Sequence, residues 1–427
     1  MRAQPQFSKI VEKHLGASLD FDPSIAPLIL RQLPSSPAVF ALAGADERAQ
    51  PYIGRTPNLR GRLGRLLIPS ARHPRRLQLA GLIRTLYWQP VGSDFEALLC
   101  QFNLLEAIHG EKALERMHLR QPAFIRYWGN NPFPRLTVTH RTTARDTGWF
   151  YGPFASRQAA ERYSEEVIKL FDLRRCTEDL APSAEHPGCV YSEMKMCLAP
   201  CNLTTPAEEY RKTAQAAEEF LATRGDSKLE ELAKARDAAS ENLEFEQAAM
   251  LHGQWHRIDG IRSNAPELVQ PLEQLAALVL QGGSEPDEVH LFVFHQGTLR
   301  GPAIFSTLGM RIQNENSGSS SLFSHPIAME PVPEEPSTAP APVRLAKGAL
   351  EERLSAALEK LKSTSPEDSA SIRLGSLALL KRWYYRPEVK REGEVFFPSP
   401  QGEWPTKAIL RGIGRVAARQ LLGGSAE

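Results

Sequence analysis

The chain has 427 residues and a formal net charge of +1, too long for one ordinary domain and too neutral for overall charge to draw it to nucleic acid. Hydrophobic residues make up 42% and charged residues 24%, the proportions of a globular protein. No run of eighteen apolar residues exists, and the start, MRAQPQFSKIVEKHLG, lacks the apolar stretch of a signal peptide; the expectation is a cytoplasmic protein without a membrane partner, whose thiols stay reduced.

Residues 1–30 give a short amphipathic segment and a proline-containing entry. A strand pattern begins at Pro37-Ala38-Val39-Phe40-Ala41-Leu42, turns through Gly44 to Arg48 and returns as Pro51-Tyr52-Ile53-Gly54, which predicts a hairpin. Arg55 to Leu63 then opens a helix. Between Arg55 and Arg76 stand seven arginines (Arg55, Arg60, Arg62, Arg65, Arg72, Arg75, Arg76) and no acid. Guanidinium groups spaced along one helix and the loop after it can pair with successive phosphates; the plainer alternative is a solvated helix face. The apolar positions of Asp94 to Leu105 are dense enough for a buried helix, with Cys100 as a small core residue.

Asn130 to Thr139 reads as a turn and a strand. Tyr151-Gly152-Pro153-Phe154 follows, and then a helical run through Leu170-Phe171-Asp172-Leu173-Arg174-Arg175. Four of the five cysteines (Cys176, Cys189, Cys197, Cys201) fall within the next 26 residues, separated by twelve, seven and three others. Pro182, Pro187, Gly188 and Pro200 keep this stretch from being helix or strand. A loop of this kind needs something other than an apolar core to hold it. Two disulfides suit a secreted protein, a four-cysteine zinc site normally uses paired CxxC knuckles, and four thiolates also ligate iron–sulfur clusters. Arg174 and Arg175 stand next to the first cysteine, where they offset thiolate charge or touch DNA.

Residues 206–264 are rich in Ala, Glu, Lys and Leu and read as two long helices. Leu275 to Leu280 and Val289 to Phe294 look like strands, with a further strand from Thr298. Asn314 to Pro342 is rich in Ser, Pro and Glu and reads as a linker. A helix at Leu350–Leu361, an apolar run at Leu377 to Pro387 and a strand pattern at Glu394 to Pro398 complete the chain.

The order of these pieces resembles the UvrC family of excision-repair nucleases, in its short Cho-like form. The YGPF element, the leucine–phenylalanine run before Cys176 and the closing Cys197-Leu198-Ala199-Pro200-Cys201 carry the likeness. The resemblance implies that Cys176, Cys189, Cys197 and Cys201 ligate a [4Fe–4S] cluster, with Zn²⁺ as the alternative. The AVF…YIG…Arg62 order resembles the GIY-YIG nuclease domain that opens UvrC. Leu243-Glu244-Phe245-Glu246-Gln247-Ala248-Ala249 resembles the UVR motif through which UvrC meets UvrB, implying partner contacts at Leu243, Phe245, Ala248 and Ala249.

For catalysis the resemblance is incomplete. Tyr52 and Arg62 match the family's tyrosine and helix arginine, and Arg55 keeps the charge of its lysine. Phe40 replaces the tyrosine of the GIY element. Gln101 replaces the glutamate that holds Mg²⁺ or Mn²⁺, and an amide brings no charge to a cation. A second tyrosine aligns with Leu66, and an asparagine falls near Ile125. Glu96 and Glu106 are each five residues from Gln101, a rotation of about 500° on a helix, so neither replaces it. In the UVR-like stretch the usual Arg-Asp pair is His252-Gly253.

The expected fold is α+β and multidomain. It comprises an N-terminal segment (1–30), a small GIY-YIG-like α/β domain (31–120), a cysteine-rich lobe (121–205), a helical hairpin (206–265), a small β region (266–310), a linker (311–346) and an α/β remnant (347–427) of the region that precedes UvrC's second nuclease. The expected function is binding to damaged duplex DNA and to UvrB, with a 3′-incision domain that is degenerate. Two alternatives stay open: a non-catalytic regulator or competitor of UvrC, and a nucleic-acid-binding iron–sulfur protein outside repair.

Overall fold

A computed structural model describes residues 7–46, 48–69, 77–141, 149–308, 310, 347–363 and 369–423. The 311–346 linker, and Arg72, Arg75 and Arg76, lie outside the described residues.

The first unit runs α1 (Phe7–His14), β1 (Ala17–Asp20), α2 (Ala26–Gln32), β2 (Ala38–Gly44), β3 (Tyr52–Thr56), α3 (Leu59–Leu67), β4 (Ile83–Pro90) and α4 (Asp94–His109). The expected β2–β3 hairpin forms, with Phe40 opposite Gly54. Strand order is β1-β4-β2-β3, all antiparallel. The N-terminal segment is thus part of this sheet through β1, not a separate piece. Alternation along β2 sends Phe40 and Leu42 toward α2 and α3, and Val39 and Ala41 toward α1 and α4. Helices cover both faces, which is why β2 reads as a continuous apolar run.

The middle unit contains α5 (Ala113–Arg116), β5 (Ala123–Tyr127), β6 (Leu136–Thr139), β7 (Trp149–Phe154), α6 (Arg157–Leu170) and α7 (Val190–Glu193). Three helices follow where two were expected: α8 (Ala207–Ala222), α9 (Asp226–Glu241) and α10 (Phe245–Ser263). Gly225, at φ 88°, breaks the first from the second. Helix α8 buries Tyr210, Ala214, Ala217 and Phe220 in the core formed by β5, β7 and α6. Helices α9 and α10 pair with each other as a hairpin, and its base (Leu229, Leu232, Ile258, Ile261) shares the core that α8 fills. Strand β8 (Gln270–Pro271) closes this sheet in the order β6-β5-β7-β8.

The last unit is a meander of β9 (Ala277–Gly282), β10 (Glu288–His295) and β11 (Thr298–Ser306), followed by α12 (Lys347–Ser363), α13 (Ala370–Tyr384), β12 (Glu394–Phe396) and α14 (Thr406–Gly423). Strand β12 pairs with β9, so the regions expected as 266–310 and 347–427 share one sheet of order β11-β10-β9-β12. Helix α4 joins the first unit to the last. Its Phe95 and Phe102 lie in one core with Phe292 and Phe294 of β10 and with Leu377 and Trp383 of α13, Phe95 meeting Phe292 edge-on at 5.2 Å.

Candidate functional site

Residues of the nuclease-like sheet are brought together in part. Tyr52 and Arg62 meet across the β3–α3 junction, with the Arg62 Nη2 3.4 Å from the Tyr52 hydroxyl. Asn58 caps α3 by accepting from the Gly61 amide at 2.7 Å and so sets the helix that carries Arg62. Phe40 is buried beside Tyr52, with ring centroids 6.2 Å apart; its edge supplies no hydroxyl. Arg55 does not join them. It pairs with Asp94, which also accepts from Arg386 Nη2 at 2.6 Å. Gln101 is half-buried on α4, the helix over the other face of the sheet, and no hydrogen bond or ion pair joins it to Tyr52 or Arg62. Leu66 and Ile125 are buried core residues.

Neither candidate substitute for the glutamate is free. The Glu96 carboxylate accepts from the Gly92 amide at 2.9 Å and lies 2.9 Å from His290 Nδ1. Glu106 accepts from the Ser369 hydroxyl at 3.3 Å. Cys100 is mostly buried, and burial, then the Glu96 carboxylate, pushes its thiol up to about 12. This accords with a core role.

The arginines of α3 do not form one stripe. Arg60 and Arg62 are two residues apart, about 200° around the helix. Arg60 Nε donates to the Leu33 carbonyl at 2.7 Å and Arg65 Nε to the Gly61 carbonyl at 3.2 Å. Arg62 and Arg65 lie only about 60° apart, and they are the two that share a side.

In the cysteine loop, Arg174 and Arg175 turn inward. Arg174 is 1% exposed, which removes it from DNA. Its guanidinium donates to the carbonyls of Phe133 (2.9 Å) and Glu178 (2.7 Å) and to Cys176 Sγ (3.4 Å). Arg175 donates to the Met196 carbonyl and the Glu165 carboxylate, each at 2.7 Å. The amide of Ala199 donates to Cys197 Sγ at 3.4 Å. All four cysteines are free thiols; Cys201 is buried and Cys189 exposed.

Burial raises the Cys197 thiol; the Ala199 amide partly offsets this, while Cys176, Cys189 and Cys201 add to the rise. Burial also raises Cys201, with Cys189 and Cys176 contributing. The four sulfurs thus lie within each other's electrostatic reach. Among the described residues, no three His, Cys, Asp or Glu side chains converge on a single ion position. A soft donor set with N–H groups aimed at two of its sulfurs suits a metal group that takes thiolates.

At the hairpin tip Leu243, Phe245 and Met250 are 72%, 65% and 59% exposed. Ala249 is exposed and Ala248 half-buried. Among the described residues, no helix is long and apolar enough to cross a membrane.

Three features thus stand in one chain: a two-face-covered sheet with an arginine helix, a four-thiol lobe and an exposed helical hairpin. Residues 124–220, from β5 to α8, match the family described as UvrC/Cho excinuclease, middle domain. Over this stretch the chain is similar to the UvrC family. It is similar to UvrABC system protein C of Cereibacter sphaeroides, 30% identical over 235 residues, which is 55% of this chain and 37% of that protein. The protein of the same name from Ruegeria pomeroyi is 31% identical over 232 residues, 52% of this chain and 35% of the relative. That from Carboxydothermus hydrogenoformans is 28% identical over 283 residues, 66% and 46% respectively. The chain spans less than half the length of these relatives. No solved structure matches it.

Sequence reasoning missed Asp94 as the partner of Arg55 and Arg386 as the second arginine on that carboxylate. Asp94 is visible as the first residue of a capped helix, but nothing local reveals that Arg386, 292 residues away, shares it.

Proposed function

We propose that this chain is a cytoplasmic protein of nucleotide-excision repair that docks on UvrB through the α9–α10 hairpin and contacts damaged duplex DNA beside Arg62 and Arg65. The observation that carries the reading is the exposed apolar tip at Leu243, Phe245 and Met250, in a chain whose relatives are excision-repair proteins. Large apolar side chains gathered at a tip and buried in no core mark an interaction surface. The test is capture of the full chain by immobilised UvrB. Phe245→Ala should weaken capture by about 2 kcal/mol, roughly thirtyfold. Equal capture of both proteins would remove the hairpin from the interface.

The cysteine loop is the proposed seat of a [4Fe–4S] cluster held by Cys176, Cys189, Cys197 and Cys201. Zn²⁺ on the same four thiols is the alternative. When bound, the cluster supplies metal–thiolate bonds that staple a loop with little core of its own. Arg174 fixes Cys176 against the Phe133 and Glu178 carbonyls, and the Ala199 amide fixes Cys197. Iron and sulfide content of anaerobically purified protein checks this; zinc without iron would replace it.

A second reading is favoured by Phe40 and Gln101. The nuclease-like domain then binds a phosphate between Tyr52 and Arg62 without cutting, and the protein regulates or competes with a cutting UvrC. Mg²⁺ or Mn²⁺ would find only a neutral amide oxygen at Gln101.

A further inference from the structure

Helix α10 carries two histidines that none of the roles above uses. His252 and His256 are four residues apart, one above the other on the same helix face, and both are exposed. Their Nε2 atoms lie 3.1 Å apart and their ring centroids 4.4 Å apart. The two nitrogens are therefore close enough to share one proton or one ion. An ion about 2.05 Å from each nitrogen would subtend an N–metal–N angle of about 98°, between the octahedral and tetrahedral values. Trp255 backs the pair, its ring edge-on to His256 at 5.2 Å.

We propose that His252 and His256 form a two-histidine site for a divalent first-row transition-metal ion, the Zn²⁺, Ni²⁺ and Cu²⁺ class that imidazole nitrogen suits. Among the described residues, no third His, Cys, Asp or Glu completes the donor set. The ion therefore keeps positions for water or for a donor from another molecule. Residues seven and eleven places after Phe245 fall within about 20° of it around the helix. The site therefore lies on the stripe that Phe245 begins, and its open positions face the same side as the apolar tip. The metal site stands or falls independently of what the tip binds.

Calorimetric titration of Ni²⁺ into the full chain tests it, comparing the unaltered protein with His252→Asn and with His256→Asn. The cysteine loop is the same in all three, so its own uptake cancels. Either substitution should lower the affinity of one nickel equivalent about tenfold or more, because a single imidazole cannot chelate. A chain carrying Gly253→His with His256→Asn keeps two imidazoles on α10 but sets them on different faces; it should bind as weakly as the single variants. Helicity by circular dichroism verifies that each chain is folded. Equal nickel affinity in the unaltered protein and either single variant, or full affinity in the displaced pair, would overturn the proposal.

Discussion

Arg174 shows how much one side chain organises here. It is buried, yet each nitrogen of its guanidinium meets an acceptor: Nε the Phe133 carbonyl, Nη1 the Glu178 carbonyl and the carbonyl and sulfur of Cys176, and Nη2 the Asn131 side-chain oxygen. Its own amide donates to the Tyr210 hydroxyl at 3.1 Å, which ties the loop to α8. Arg174→Met should leave several buried acceptors unmet, at about 1–3 kcal/mol each. Thermal unfolding should show a drop of several degrees, and Arg174→Lys should recover little, since one ammonium cannot reach all these directions. An unchanged melting temperature would mean that water replaces the guanidinium. Gln101 makes the opposite kind of prediction. An assay on damaged duplex with UvrB and Mg²⁺ should show no metal-dependent incision by the unaltered protein, because Gln101 offers the cation no charged ligand. Robust incision by the unaltered protein would end the degenerate reading.

At the scale of elements, α4 is the shared beam. Ser93 caps it by accepting from the Glu96 amide at 3.1 Å, and Asp94 and Glu96 place negative charge in its first turn. One side packs on the first sheet; the other packs on β10 and α13. The approach to α13 depends on Gly375, where an added Cβ would collide with the Phe102 ring. Gly375→Ala should therefore cost about 1–3 kcal/mol by overpacking. Phe102→Leu in the same chain should recover part of that loss in thermal unfolding. If Gly375→Ala alone raises stability through helix propensity, then α13 does not pack as described.

At the scale of the whole molecule, polar contacts join the first unit to the last at the N-terminal end of α4. Glu96 reaches His290 of β10, and Asp94 sits between Arg55 and Arg386. Burial raises the Asp94 carboxyl, but hydrogen bonds and charge from Arg386 and Arg55 together outweigh it, and its pKa falls below the ordinary 3.8. A depressed carboxyl contributes stability that is complete above the unfolded value and is lost as pH falls through the lower folded value. Asp94→Asn should therefore destabilise the protein at neutral pH, and the gap from the unaltered chain should close below about pH 4. Denaturant unfolding at pH 7 and pH 3 measures both arms. A gap that persists unchanged at pH 3 would mean that shape, not charge, holds this junction.

Much of the architecture was legible without coordinates because it rests on local patterns. The β2–β3 hairpin, α4 and the β9–β11 meander are written in apolar runs bounded by turn residues. The clustering of Cys176, Cys189, Cys197 and Cys201 is a matter of spacing alone. The apolar tip at Leu243 and Phe245 is likewise a feature of one short stretch. What only the tertiary structure decided are the partnerships between distant segments: β12 beside β9, α8 in the middle core, Arg174 and Arg175 turned inward, and Arg55 tied through Asp94 to Arg386. These depend on which buried charge finds which partner and on how closely two backbones can approach. Such terms are set by packing in three dimensions and leave no periodic trace along the chain.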